Sequence, residues 1–103
     1  MKTYILLNDH SVQIEPDLKK WGKWMESADR HVAKTDLGEV WISTVFLGID
    51  HGFGEKLPVL FETMIFGGVR DQEQWRYTTW DEAVAGHEKA VRLVKPRHLK
   101  VVK

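Results

Sequence analysis

The chain has 103 residues, and 15 lysines and arginines balance 15 aspartates and glutamates, so the formal net charge is zero. With 43% apolar and 29% charged residues, the composition is that of a globular domain, and the length allows one core, not two. These figures exclude a long disordered protein, a membrane-spanning protein and a strongly basic nucleic-acid coat, and the lack of cysteine excludes a disulfide framework or a thiolate zinc site.

Thr3 to Leu7 reads as a short strand, Asn8-Asp9-His10-Ser11 as a polar turn, and Val12 to Ile14 as a returning strand. That first apolar run is too short for a signal-peptide core or a membrane span, so a cytoplasmic, reducing compartment is expected. Pro16 and Asp17 suit a helix start. Leu18, Trp21, Met25 and Ala28 follow at helical spacing, which predicts a helix over about 16–28 with Trp24 beside that stripe. His31 to Asp36 and Val40 to Ile49 read as an antiparallel hairpin turning around residues 36–39. Asp50 to Glu55 is a glycine-punctuated loop, Val59 to Phe66 a further strand, and residues 69–78 read as irregular. Thr79 and Glu82 fit a capping box that opens a last helix, with Trp80, Ala83, Val84, His87, Val91 and Val94 on one face and Pro96 ending it.

The expected fold is α+β, a small and mostly antiparallel sheet with two helices in the order β(β)-α-β-β-β-α. One domain spans 1–103, with a basic tail from about residue 96. In 40–49, Trp41, Ser43, Val45 and Leu47 share one face; in 59–66, Leu60, Glu62, Met64 and Phe66 share one. The opposite faces carry Val40, Ile42, Thr44 and Phe46, and Val59, Phe61, Thr63 and Ile65. Both sheet faces are thus apolar, whereas a half-solvated sheet should alternate. Self-association through the second face is expected, as a homodimer or higher homo-oligomer; a monomer with its helices on opposite faces is the alternative.

Charge is uneven along the chain. Residues 89–103 hold six basic and no acidic side chains, leaving nine basic against fifteen acidic residues in 1–88. Cations at a helix C-terminus complement its dipole, and no motif for reading duplex nucleic acid is present.

Several residues could carry chemistry. Asp50 and His51 sit after a strand in a loop with Gly52 and Gly54, but no phosphate-loop or dinucleotide fingerprint is present. Glu62 lies mid-strand among apolar neighbours, where a carboxylate needs a partner. His87 lies on the apolar face of the last helix and reads first as a satisfied core residue. Were Glu62 and His87 to meet, they would pin helix to sheet. Arg70, Trp75, Arg76 and Tyr77 combine phosphate-binding and base-stacking side chains. No metal-ligand spacing is present, and no cofactor is implied.

Three blocks carry a resemblance: Trp41-Ile42-Ser43-Thr44-Val45-Phe46-Leu47-Gly48-Ile49-Asp50-His51-Gly52-Phe53-Gly54, then Leu60-Phe61-Glu62-Thr63-Met64-Ile65-Phe66-Gly67-Gly68, then Arg76-Tyr77-Thr78-Thr79-Trp80-Asp81-Glu82-Ala83 with Gly86-His87 and Ala90-Val91. In this order, over about residues 20–94, the chain resembles a small family of phage and prophage proteins. The resemblance implies a virus-encoded accessory protein in a bacterial host cytoplasm and transfers no catalytic residue.

The leading expectation is a non-enzymatic, oligomeric counter-defence protein that sequesters a small phosphate-bearing, nucleotide-like ligand. Its candidate contacts are Asp50, His51, Glu62, Arg70, Trp75, Arg76, Tyr77 and His87. The alternatives are a protein–protein inhibitor of a host defence factor, and a small hydrolase using Asp50, His51, Glu62 and His87.

Overall fold

A computed structural model describes residues 2–52, 54 and 56–95. The elements are β1 (Tyr4–Leu6), β2 (Val12–Ile14), α1 (Leu18–Ser27), β3 (His31–Asp36), β4 (Trp41–Phe46), β5 (Phe61–Phe66), β6 (Gln74–Tyr77) and α2 (Trp80–Val94). β1 and β2 form a separate antiparallel hairpin, and the other strands make an antiparallel meander in the order β3-β4-β5-β6. The fold is α+β, as the alternation of strand and helix patterns predicts. The basic tail from residue 96, and Pro96 as a helix stop, lie outside the described residues.

Residues 69–78, expected to be irregular, contain the fourth meander strand, β6. Gly67 makes the entry to it possible. Its φ is +93°, and a methyl there would strike the Glu39 carbonyl oxygen, so only glycine turns the chain back at this point. Both helices start where side chains satisfy free amides. Asp17 Oδ1 accepts from the N–H groups of Lys19 at 3.0 Å and Lys20 at 3.3 Å. Thr79 Oγ1 accepts from Glu82 N–H at 3.1 Å while Glu82 reaches back to Thr79 N–H at 3.3 Å, which is the capping box in full.

α2 crosses one face of the meander, and the core between them has three layers. The strand register pairs Phe46 with Phe61, Thr44 with Thr63 and Ile42 with Ile65. The buried residues of α2, Ala83, His87 and Ala90, come at helical spacing. One apolar layer is built on Phe46, Phe61, Leu60 and Ala83, and the other on Ile42, Ile65 and Ala90. Between them lies a polar layer. Thr44 Oγ1 is 2.5 Å from Thr63 Oγ1 and 2.8 Å from His87 Nδ1, and Thr35 Oγ1 is 2.8 Å from His87 Nε2. Full burial of each large apolar side chain in the flanking layers is worth about 1.5–3 kcal/mol.

The N-terminal hairpin and α1 close the Phe46 end of this core. Trp21 Nε1 donates to the Tyr4 carbonyl at 3.0 Å, and Trp24 meets the Phe46 ring edge-on at 5.8 Å between centroids. Phe46 faces α2, so α1 adds to the side that α2 already covers, and the helices do not sandwich the sheet. The other face carries Trp41 stacked on Phe66 at 4.1 Å, with Val45 and Met64 beside them. Charged side chains from the edge strands lie over it. Lys34 Nζ sits 4.7 Å from the Trp41 ring centre, and Arg76 Nε donates to Glu62 Oε2 at 2.9 Å. Long cationic side chains can shield apolar surface with their stems while their heads stay wet. The second apolar face is thus shielded in part, and Trp41, Val45, Met64 and Phe66 stay half-buried.

Candidate functional site

The eight candidate residues do not converge. Asp50 is a loop cap: its Oδ1 accepts from Gly52 N–H at 2.8 Å and Val59 N–H at 2.9 Å. These two bonds, Val59's the stronger influence, hold its carboxyl below the usual carboxylate range. His51 Nδ1 lies 2.7 Å from the Ile49 carbonyl oxygen; a carbonyl only accepts, so that nitrogen carries the hydrogen. Asp50 thus joins the two ends of the loop, and His51 ties its start to Ile49.

Glu62 and Arg76 pair across β5 and β6 on the face away from α2. His87 is on the α2 side, 5% exposed, and bonds to threonines. Glu62 and His87 therefore do not pin helix to sheet together. Burial pushes the His87 imidazole below its ordinary pKa, against a smaller opposing pull from Glu88. A neutral ring can donate from one nitrogen and accept at the other, which fits a threonine hydroxyl on each side. Arg70 donates to both carboxylate oxygens of Glu73, at 3.2 and 3.3 Å, on an exposed turn. The two arginines thus each hold a carboxylate, in different places.

Trp75 and Tyr77 do come together. They alternate with Gln74 and Arg76 along β6 and pair with the buried Thr63 and Phe61, so both rings lie on the α2 side. There they line a groove of about 420 Å³ whose opposite wall is α2, with Glu82, Ala85, Gly86, Lys89, Ala90 and Leu93. Gly86 is required by this closeness: a methyl at that position would overlap the Tyr77 ring. Trp75 is 37% exposed and Leu93 45%. Glu82, at one end, is occupied by the Thr78 and Thr79 donors of the capping box, Thr78 chief among them, which hold its carboxyl below its ordinary value. Lys89 has no carboxylate partner among the described residues.

The groove can therefore hold a flat or apolar group between an aromatic and an aliphatic wall and offer one cation to it. Its α2 wall is what reading the sequence for chemistry missed. The signal was present: Ala85, Lys89 and Leu93 repeat every four residues, off the Ala83, His87 and Ala90 core stripe. Among the described residues, no group of three or more His, Cys, Asp or Glu side chains is placed to hold a metal ion. No helix among them is long and apolar enough to cross a membrane.

Comparison with family models, curated proteins and solved structures finds no match.

Proposed function

We propose that this chain is a non-enzymatic binding protein that engages a partner protein through the groove between β6 and α2. In the phage setting that the sequence resemblance implies, the partner is a host defence factor. One observation carries the reading: Trp75 and Leu93, two large apolar side chains left exposed, line the same groove from opposite walls. Exposed aromatic and aliphatic anchors of this kind are where binding energy concentrates in protein interfaces. Val69, fully exposed, lines an adjoining groove that shares Leu93, so the apolar surface continues past Leu93.

Capture of a small phosphate-bearing ligand is the second reading, favoured by the Trp75 and Tyr77 rings beside Lys89. It lacks the arginine clamp expected from the sequence, because Arg70 and Arg76 are bonded to Glu73 and Glu62. Self-association through the open sheet face would have to displace Lys34 and Arg76 from the surface they occupy.

The test is affinity capture from a bacterial lysate with wild type, Trp75→Ala and Leu93→Asp, each checked for folding by circular dichroism. A captured protein lost with both variants is expected. Capture unaffected by either substitution overturns the reading. Calorimetry with a panel of nucleotides decides for the small ligand if one binds and Trp75→Ala abolishes it.

A further inference from the structure

The same groove has a second property that side chains alone do not reveal. Among the described residues β6 is an edge strand with a neighbour on one side only, so half of its main-chain N–H and C=O groups point outward. Ile65 N–H donates to the Glu73 carbonyl at 3.0 Å. Bonded pairs alternate along an antiparallel ladder, so Trp75 and Tyr77 spend their main-chain groups on β5. Gln74 and Arg76 turn theirs away from it. The open hydrogen-bonding edge thus runs alongside the groove that Trp75, Tyr77, Ala85, Lys89 and Leu93 line.

The two sheet edges differ. β3, the other edge, has a register shift between His31 and Ala33, a break that discourages pairing with another strand. β6 keeps unbroken register with β5 from Gln74 to Tyr77. The groove also offers a charge. The Glu82 carboxylate, at one end, is taken up by the donors of the helix cap, while Lys89 on the α2 wall has no carboxylate partner among the described residues.

We infer that the groove receives an extended segment of a partner polypeptide, which adds as a fifth strand to the β6 edge and presents an acidic side chain to Lys89. This rests on the binding reading above and specifies its mode. Main-chain bonds to Gln74 and Arg76 would supply affinity. Alternate side chains of the segment would drop between β6 and α2 and supply specificity. Apolar residues would lie against Trp75 and Leu93, and one aspartate or glutamate would meet Lys89.

A positional-scanning library of N-acetylated octapeptides, screened against the full chain, tests this. Selected peptides should be apolar at alternate positions and prefer Asp or Glu at one inward position. Lys89→Glu should reverse that preference to Lys or Arg. Binding should slow amide exchange of Gln74 and Arg76 at least tenfold, and N-methylation of the pairing peptide amides should weaken it at least tenfold. Gln74→Pro removes only an outward N–H, so it should abolish peptide binding while leaving the protein's melting temperature near wild type. The N-methyl series gives the same answer if that variant does not fold.

A library that yields no binder overturns the proposal. So does binding that leaves both amides unprotected and tolerates N-methylation. If Trp75→Ala and Leu93→Asp abolish lysate capture but Gln74→Pro and N-methylation change nothing, the groove is the binding surface and strand addition is wrong. If none of these changes matters, both readings fall. If Gln74→Pro instead converts a dimer to a monomer in sedimentation, the edge is taken by a second copy and the proposal is overturned.

Discussion

Thr44 Oγ1 lies 2.8 Å from His87 Nδ1, and this contact joins the centre of the sheet to the centre of the last helix. It sits between two apolar layers, where a slip of α2 by one turn would face His87 with Phe46 and Phe61 or with Ile42 and Ile65. A buried polar side chain left without a partner costs about 1–3 kcal/mol, so the polar layer penalises every other register. His87→Ala, which also opens a cavity, should cost about 2–4 kcal/mol in urea unfolding. Replacing the buried members of the middle layer, as Thr44→Val, Thr63→Val and His87→Leu together, should recover most of that loss and leave the half-buried Thr35 hydroxyl to water. It should also broaden the amide spectrum of α2, because register is then less specified. A triple variant as unstable as His87→Ala would refute this account.

The same histidine makes stability depend on pH. Burial holds its folded pKa below the ordinary 6.5, so below that value the unfolded chain binds a proton that the folded chain refuses. The sign follows: the contribution is complete above about 6.5 and falls as pH drops below it. The urea midpoint should therefore be lower at about pH 5.5 than at about 7.5, and His87→Gln should flatten this part of the profile. Asp50 and Glu82 are also held low, from ordinary values of 3.8 and 4.5. Their contributions persist through that window and are lost only in stronger acid.

The capping box bears on stability and on the groove. Thr79→Ala removes the acceptor for Glu82 N–H and should cost about 1 kcal/mol. Glu82→Gln keeps the shape but lowers acceptor strength toward Thr78 and Thr79, so it should cost less. A larger loss from Glu82→Gln than from Thr79→Ala, measured by thermal unfolding, would show that the charge and not the hydroxyl carries the cap.

Two helical glycines should respond in opposite directions to alanine. Among the described residues no other part of the chain lies within 4 Å of a methyl placed on Gly22 in α1, so Gly22→Ala should stabilise by up to about 1 kcal/mol. A methyl on Gly86 would overlap the Tyr77 ring. Gly86→Ala should therefore destabilise by about 1–3 kcal/mol despite the better helix propensity, and should push Tyr77 into the groove. Tyr77→Ala in the same chain should relieve the clash. Additive losses would mean that the two residues do not meet.

How much of this was legible follows from what each residue advertises. β4 and β5 announce themselves by β-branched and aromatic runs, and α2 by Thr79, Glu82 and its apolar stripe. β6 was missed because its two faces differ in kind. Gln74 and Arg76 look like loop residues, yet their alternation with Trp75 and Tyr77 is the period of a strand with one wet face. Glu62 was rightly expected to need a partner, but only register could show that it is Arg76. On the second apolar face, the sequence does not show that Lys34 reaches Trp41. The groove was half visible: its aromatic wall stood out by composition, while its α2 wall consists of alanine, glycine, lysine and leucine, which elsewhere are merely good or neutral surface residues.

His10, at the hairpin tip, stacks on Trp80 at 3.7 Å with the ring planes 9° apart. That contact spans about seventy positions and ties the earliest hairpin to the opening turn of the final helix. A two-stranded hairpin alone is marginally stable in water, and Tyr4, Leu6 and Val12 pack against the Phe46, Phe61 and Ala83 layer. During translation, at roughly 5–20 residues per second, the hairpin must therefore wait on the order of ten seconds for the last of these partners, on α2. The hairpin is made well before the helix turn it stacks on, which leaves His10 without Trp80 until α2 has emerged.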